Sequence, residues 1–308
     1  MPEKKTEENP FQKAVICVPS YSKFGIHRTI RPAELVKAGL DPEKVDPKWL
    51  SGGKRLLEHP SLEAIQTFDS ETKGHMDPPR SIPFPLAPGM RLIPVIGYSQ
   101  MDEYLKGRVE PRRALVEAAC EVYPTLRAEA QKALGPLYSE TDYPSVEGFR
   151  ARYSFSWTWL ELSAPGTFRS SDPALFEEQQ KALAAGVQNA LELGRAATIE
   201  AFGGIVDRFT EILTPGKDGK RKRVHDSLLG NALQFFEAVE GLGAVTDLGA
   251  LMEHVQKLRK LLAGVDIPAL KENAAVRERV LAGAVAIQKG MSGLVTEAHE
   301  RRLVLNDD

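Results

Sequence analysis

Between Pro173 and Pro215 the sequence carries no other proline, and Ala, Leu and Glu are the commonest residues between them. Asp172 supplies an N-cap acceptor, and Pro173 suits the first helical position, where the missing N–H costs nothing. The spacing predicts one helix of about 40 residues, roughly 60 Å long at 1.5 Å per residue. A helix of that length needs partners to cover it. Phe176, Leu183, Val187, Ala190, Gly194, Thr198, Phe202, Ile205, Phe209 and Ile212 follow one another mostly in steps of three and four, the pattern of a bundle or coiled-coil seam. The small residues Ala190, Gly194 and Ala197 would let a partner helix approach closely. Phe176, Leu183, Val187, Phe202, Ile205 and Phe209 are therefore the candidate interaction seam, which either closes inside a bundle or meets a second chain.

The rest of the second half continues in the same texture. Helices are expected from Val224 to Val239, from Leu248 to Leu262 and, after Pro268, through Val276, Val280, Ile287 and Leu294 to Leu303. Together they predict an antiparallel bundle over 172–304. The first half differs, because prolines cluster from Pro78 and Pro79 through Pro83, Pro85 and Pro88 to Pro94, and long helices are not expected there. Ala14 to Val18 and Met90 to Ile96 read as strands. Ala151 to Leu162 is the clearest strand, with Tyr153, Phe155, Trp157 and Trp159 on one face and Ser154, Ser156, Thr158, Leu160 and Leu162 on the other. Helices are expected over Leu62 to Phe68 and from Pro111 to Gly135, the latter kinked or broken at Pro124. The reading is a mostly helical α+β chain. A disordered tail covers 1–12, a small mixed sheet with helices covers 13–165, and the long-helix bundle follows.

Charge excludes a global electrostatic role: 40 Lys and Arg against 42 Asp and Glu leave a net charge of −2. Apolar runs such as Leu92 to Gly97 fall far short of the roughly 20 residues that cross a bilayer. With a polar N-terminus, the expectation is an intracellular, cytoplasmic protein without membrane partners. Two cysteines, Cys17 and Cys120, make neither a disulfide framework nor a zinc site and read as buried thiols.

Enzyme signatures fail one by one. Ser51-Gly52-Gly53-Lys54-Arg55 lacks the earlier glycine and the following Ser or Thr of a phosphate loop, and a glycine turn leading into a helix is the simpler reading. The histidines at 27, 59, 75, 225, 254 and 299 never pair at helical metal spacing. His75-Met76-Asp77 reads as a flexible polar loop. No catalytic residue, metal ligand or cofactor site can be named, and the chain leans away from enzymes.

Two features could bind. Lys217, Lys220, Arg221, Lys222 and Arg223 form a basic run, continuing to His225, between two expected helices, suited either to phosphate contact or to a solvated turn. The aromatic strand resembles the stacking face of single-strand binders, with Arg150 and Arg152 just upstream, although core packing of those rings is the alternative.

The order of segments is itself informative. Val15-Ile16-Cys17-Val18 followed by Ser22-Lys23-Phe24-Gly25, then Pro83-Phe84 to Gly89-Met90-Arg91-Leu92-Ile93-Pro94, then Tyr143-Pro144-Ser145 before Phe149-Arg150, resembles an uncharacterised family of phage and mobile-element proteins. The similar order covers most of the chain. That family is often encoded beside a cobaltochelatase-like or MoxR-type AAA+ ATPase and a von Willebrand A-domain protein, and the resemblance implies a partner role in a bacterial host. The expected function is thus a non-enzymatic accessory protein that assembles with itself or with such an ATPase. The alternative is a single-stranded nucleic-acid binder using 217–225 and the aromatic strand.

Overall fold

The structure is a computed structural model and describes residues 13–37, 39, 52–84, 88–161, 163, 166–216, 222–243 and 245–306. The tail 1–12, expected to be disordered, lies outside them. The strands are β1 (Ala14–Tyr21), β2 (His27–Thr29), β3 (Gly53–Arg55), β4 (Ile82–Pro83), β5 (Arg91–Pro94) and β6 (Phe155–Leu160). The helices of the first half are α1 (Pro32–Lys37), α2 (Pro60–His75), α3 (Tyr98–Leu134) and α4 (Val146–Arg150). Those of the second half are α5 (Gly166–Ser171), α6 (Pro173–Leu213), α7 (Ser227–Gly243), α8 (Gly249–Leu262), α9 (Ile267–Glu272) and α10 (Ala274–Asn306). At 69% helix with a small antiparallel sheet, the chain is a mostly helical α+β protein.

The chain divides into two compact units, each assembled from separated stretches. The first comprises Met1–Val18, Met76–Gln100 and Thr158–Asp308; the second comprises Pro19–His75 and Met101–Trp157. The expected boundary between the region 13–165 and the bundle beginning at 172 falls inside the first unit.

In the first unit, α6 is the 41-residue helix that the proline spacing predicts, and Asp172 Oδ1 accepts the Leu175 N–H at 3.0 Å as its cap. Val187, Ala190, Gly194, Thr198, Phe202 and Phe209 are buried, and the core continues into Phe235, Phe236 and Val239 of α7, Leu251 and Val255 of α8, and Val280 and Ile287 of α10. The close approach that Gly194 allows is made not by a helix, as its missing side chain suggested, but first by strand β4, where an added Cβ would lie 2.5 Å from Ile82 Cγ1. β5 pairs antiparallel with β1 through Ile16 and Leu92, and with β4 through Leu92 and Ile82. The sheet order is β4-β5-β1-β6. The single helix expected after Pro268 is two, because Asn273 ends α9 and its Oδ1 accepts the Val276 N–H at 3.2 Å to start α10.

In the second unit, the expectation that prolines forbid a long helix is wrong. α3 runs 37 residues through Pro111 and Pro124. An interior proline costs about 3 kcal/mol, but a buried stripe of Leu105, Val116, Ala119, Tyr123 and Leu126 repays it, since each large side chain contributes about 1.5–3 kcal/mol. Both proline rings are exposed. Gly52 and Gly53 do not turn into a helix either. Gly53–Arg55 is β3, paired with β2 in the register His27 to Arg55 and Thr29 to Gly53. Ser51 lies outside the described residues. The core of this unit gathers Phe24, Leu56, Leu57, Leu62, Ile65, Tyr123, Tyr143 and Phe149 around Cys120.

Candidate functional site

The sequence nominates residues in both units. Of the basic run, Lys217, Lys220 and Arg221 lie outside the described residues. Lys222 is exposed and its ammonium sits 3.3 Å from Glu211 Oε1, while Arg223 is exposed and the next residue, Val224, is buried as an anchor. All belong to the first unit, whereas Arg150 and Arg152 belong to the second. Arg150 is clamped by Glu117, with Nε 2.8 Å from Oε1 and Nη2 2.8 Å from Oε2. That hydrogen bond, then the Arg150 charge, holds the Glu117 carboxyl below its ordinary range even against desolvation.

The aromatic strand is shorter than expected, because Ala151 to Ser154 precede β6 as a turn and an irregular link; within β6 half-buried Phe155, Trp157 and Trp159 alternate with exposed Ser156, Thr158 and Leu160, as the pattern predicts. The rings are engaged by the chain itself. Tyr21 stacks on Phe155 at 4.8 Å, and Trp157 Nε1 donates to Asp102 Oδ1 at 2.8 Å. In the first unit, Trp159 meets Tyr98 edge-on at 6.0 Å. Burial pushes the Tyr153 hydroxyl up to about 12.

Along the α6 seam, Val187, Phe202 and Phe209 are buried inside the first unit, Ile205 packs partly against the same core, and Phe176 and Leu183 near the N-terminal end stay half-buried. The guanidinium of Arg169 lies 5.8 Å from the Phe176 ring.

Elsewhere the same unit exposes apolar surface that sequence reading did not single out. Where β5 ends, a 3-10 turn at Val95–Gly97 leads into α3, and Val95 and Ile96 point outward, Ile96 being 71% exposed. Tyr98 follows, also exposed, with its edge on Trp159. The elbow is fixed: the Val95 N–H donates to the Lys13 carbonyl at 2.9 Å, and Gly241 of α7 lies beneath Ile96.

His75 is no part of a flexible loop. It ends α2 and stacks on Tyr104 at 3.5 Å. In the first unit, Asp77 pairs with Arg91 at 3.1 Å. No group of three or more His, Cys, Asp or Glu suited to a metal ion occurs among the described residues. Lys54, the lysine of the phosphate-loop look-alike, is buried against Glu34 and Asp142.

The second unit holds a cleft of about 1090 Å³ between α2 and the segment from Tyr21 to His27. Its α2 wall presents Glu63, Gln66, Thr67, Ser70 and Lys73, a stripe at helical spacing that from sequence alone reads only as a solvated face. Its opposite wall is locked at Ser22. The Ser22 N–H donates to the Ser154 carbonyl at 3.0 Å, its hydroxyl donates to the Arg152 carbonyl at 2.7 Å, and its own carbonyl accepts from Arg112 Nη2 at 3.1 Å. Arg112 in turn holds Asp69 of α2 with bonds of 2.7 and 3.1 Å, so one buried guanidinium ties both walls together. At the head of α2, His59 Nδ1 accepts the Ser61 N–H at 3.1 Å, which puts the proton of the neutral ring on Nε2. No local pattern announces the partners of Ser22 and Arg112, which are drawn together from 43 to 132 residues apart.

Comparison with protein-family models, with curated proteins and with solved structures finds no match to this chain.

Proposed function

We propose that the chain is a non-enzymatic accessory protein that acts by protein–protein assembly, with the first unit's elbow at Val95, Ile96 and Tyr98 as its docking surface. The observation that carries this reading is the exposure of Ile96 on a turn whose backbone is pinned on one side and whose neighbours are aromatic. A large aliphatic side chain held rigidly in water keeps its entropy cost low on binding and buries readily against a partner. The half-open end of the α6 seam at Phe176 and Leu183 adds apolar surface in the same unit. The partner is a second copy of the chain or, as the family resemblance implies, an AAA+ ATPase with its von Willebrand A-domain companion.

The single-strand reading has less to rest on, because the aromatic face is packed by the chain's own rings and Arg150 is held by Glu117. Size-exclusion chromatography with light scattering decides the assembly reading, run on the pure chain and then with the candidate ATPase. An oligomer or complex that Ile96→Asp weakens supports it. The mass of one chain under both conditions removes it.

A further inference from the structure

We propose that the cleft of the second unit binds a short extended segment of a partner polypeptide, with a cationic residue of that segment against Glu63 and an acidic residue or C-terminal carboxylate against Lys73.

The α2 wall carries opposite charges at its two ends. Glu63 lies in the first turn and Lys73 in the last, ten residues apart, which is about 15 Å along a helix. Neither has an ion-pair partner among the described residues, whereas the other lining carboxylates do: Glu58 pairs with Arg55 at 2.8 Å and Asp69 with Arg112 at 2.7 Å. The Lys73 ammonium rests instead over the Tyr21 ring, 4.9 Å from its centroid, a contact it can leave for a carboxylate. Between the ends stand Gln66, Thr67 and Ser70, neutral groups that both donate and accept hydrogen bonds. That sequence of charge, neutral polar groups and opposite charge suits a zwitterionic chain rather than a polyanion.

The facing wall offers backbone. Among the described residues no hydrogen bond engages the N–H or C=O of Lys23 or Gly25, and the space beyond Gly25 is open to at least 4 Å. Main-chain groups presented along a groove are the means by which proteins capture extended peptides. A strand rises about 3.3 Å per residue, so 15 Å spans four to five residues. The cleft, at about 1090 Å³, is at the upper limit of small-molecule sites and accommodates such a segment. Ser22 and the Arg112–Asp69 pair hold both walls in place before binding, which lowers the ordering cost.

The site is separate from the elbow of the first unit, and one experiment distinguishes them. A random heptapeptide library displayed on phage is panned against the full chain, and enriched peptides are synthesised and titrated against three variants. The expected peptides carry Lys or Arg four to five positions from Asp, Glu or a free C-terminus. Their affinity falls about fivefold in Glu63→Lys and in Lys73→Glu, the size of one exposed ion pair each, and recovers when the peptide charge is reversed to match. Both residues are exposed, and an unchanged melting curve for each variant shows that the fold survives. Peptides insensitive to both charge reversals but lost in Ile96→Asp overturn the cleft and support the elbow. No enrichment over bare support overturns the cleft as well.

Discussion

The ammonium of Lys54 lies 2.6 Å from Glu34 Oε1, with 1% of the lysine side chain and 7% of the glutamate side chain exposed. The same ammonium reaches Asp142 at 2.7 Å and the Leu137 carbonyl at 2.8 Å, and Arg31 closes the group from its outer side at 2.6 Å from Asp142. Two cations and two carboxylates thus balance in a setting that β3, α1 and the turn at Glu140–Asp142 build jointly. Removing Lys54 strands buried carboxylates. Lys54→Met is expected to cost about 3–5 kcal/mol in urea unfolding, whereas Arg55→Met, one residue on and paired only at the surface, stays within about 0.5 kcal/mol. Equal losses for the two variants would show that the buried group does not hold the second unit together.

Glu34 also gives this group a pH signature. Burial alone pushes its carboxyl up, but the Arg31 N–H at 2.8 Å, then the hydrogen bond and charge of Lys54, outweigh burial and hold it below its ordinary value of 4.5. A carboxylate held low in the folded chain takes up its proton first in the unfolded chain. Its stabilisation is therefore complete above the unfolded value and drains away as pH falls through the folded one. Urea midpoints of the wild type should drop more steeply than those of Glu34→Gln between about pH 5 and 3. Parallel curves would contradict the assignment.

Two glycines of α6 should respond in opposite directions to the same change. An alanine Cβ at Gly194 would meet Ile82 at 2.5, 2.6 and 2.9 Å, and the last of these atoms is a branch methyl close to the strand backbone. Nothing lies within 4 Å at Gly204. Gly194→Ala is expected to destabilise by about 1–3 kcal/mol through overpacking. Gly204→Ala is expected to stabilise by about 0.5–1 kcal/mol, because helical glycine costs backbone entropy. Thermal melts of the two variants falling on the same side of the wild type would refute the close approach of β4.

What could be read from the sequence is what neighbours decide. The Asp172 cap and the 41-residue span of α6 depend on residues a few positions apart, and the alternation at 155–160 needs only the pleat of one strand. What could not be read depends on distant partners. Local rules stop a helix at Pro111 and Pro124, and only the stripe buried in the second unit overrides them. The glycines before Lys54 look like a turn until β2 pairs with Gly53–Arg55 from 24 to 28 residues upstream. The cleft is the extreme case. Glu63, Gln66, Thr67, Ser70 and Lys73 have the ordinary look of a wet helical face, and they become a wall only because Arg112, from α3, draws the Ser22 segment opposite them.

The core of the second unit should also be visible in an alkaline titration. Of the seven tyrosines, Tyr123, Tyr143 and Tyr153 are pushed up to about 12, in each case first by burial. Tyr123 donates to the Pro144 carbonyl at 2.9 Å and Tyr143 to the Leu56 carbonyl at 3.1 Å, so both hydroxyls already have acceptors that a phenolate could not use. Above pH 10 the unfolded chain ionises these rings and the folded chain does not, so stability is full below 10 and falls as pH rises towards 12. Absorbance at 295 nm should therefore lack three tyrosinates until pH nears 12 or the fold opens. Tyr143→Phe should remove one of the late ionisations. A full tyrosinate signal with native circular dichroism well below that pH would mean that these rings are not buried as described.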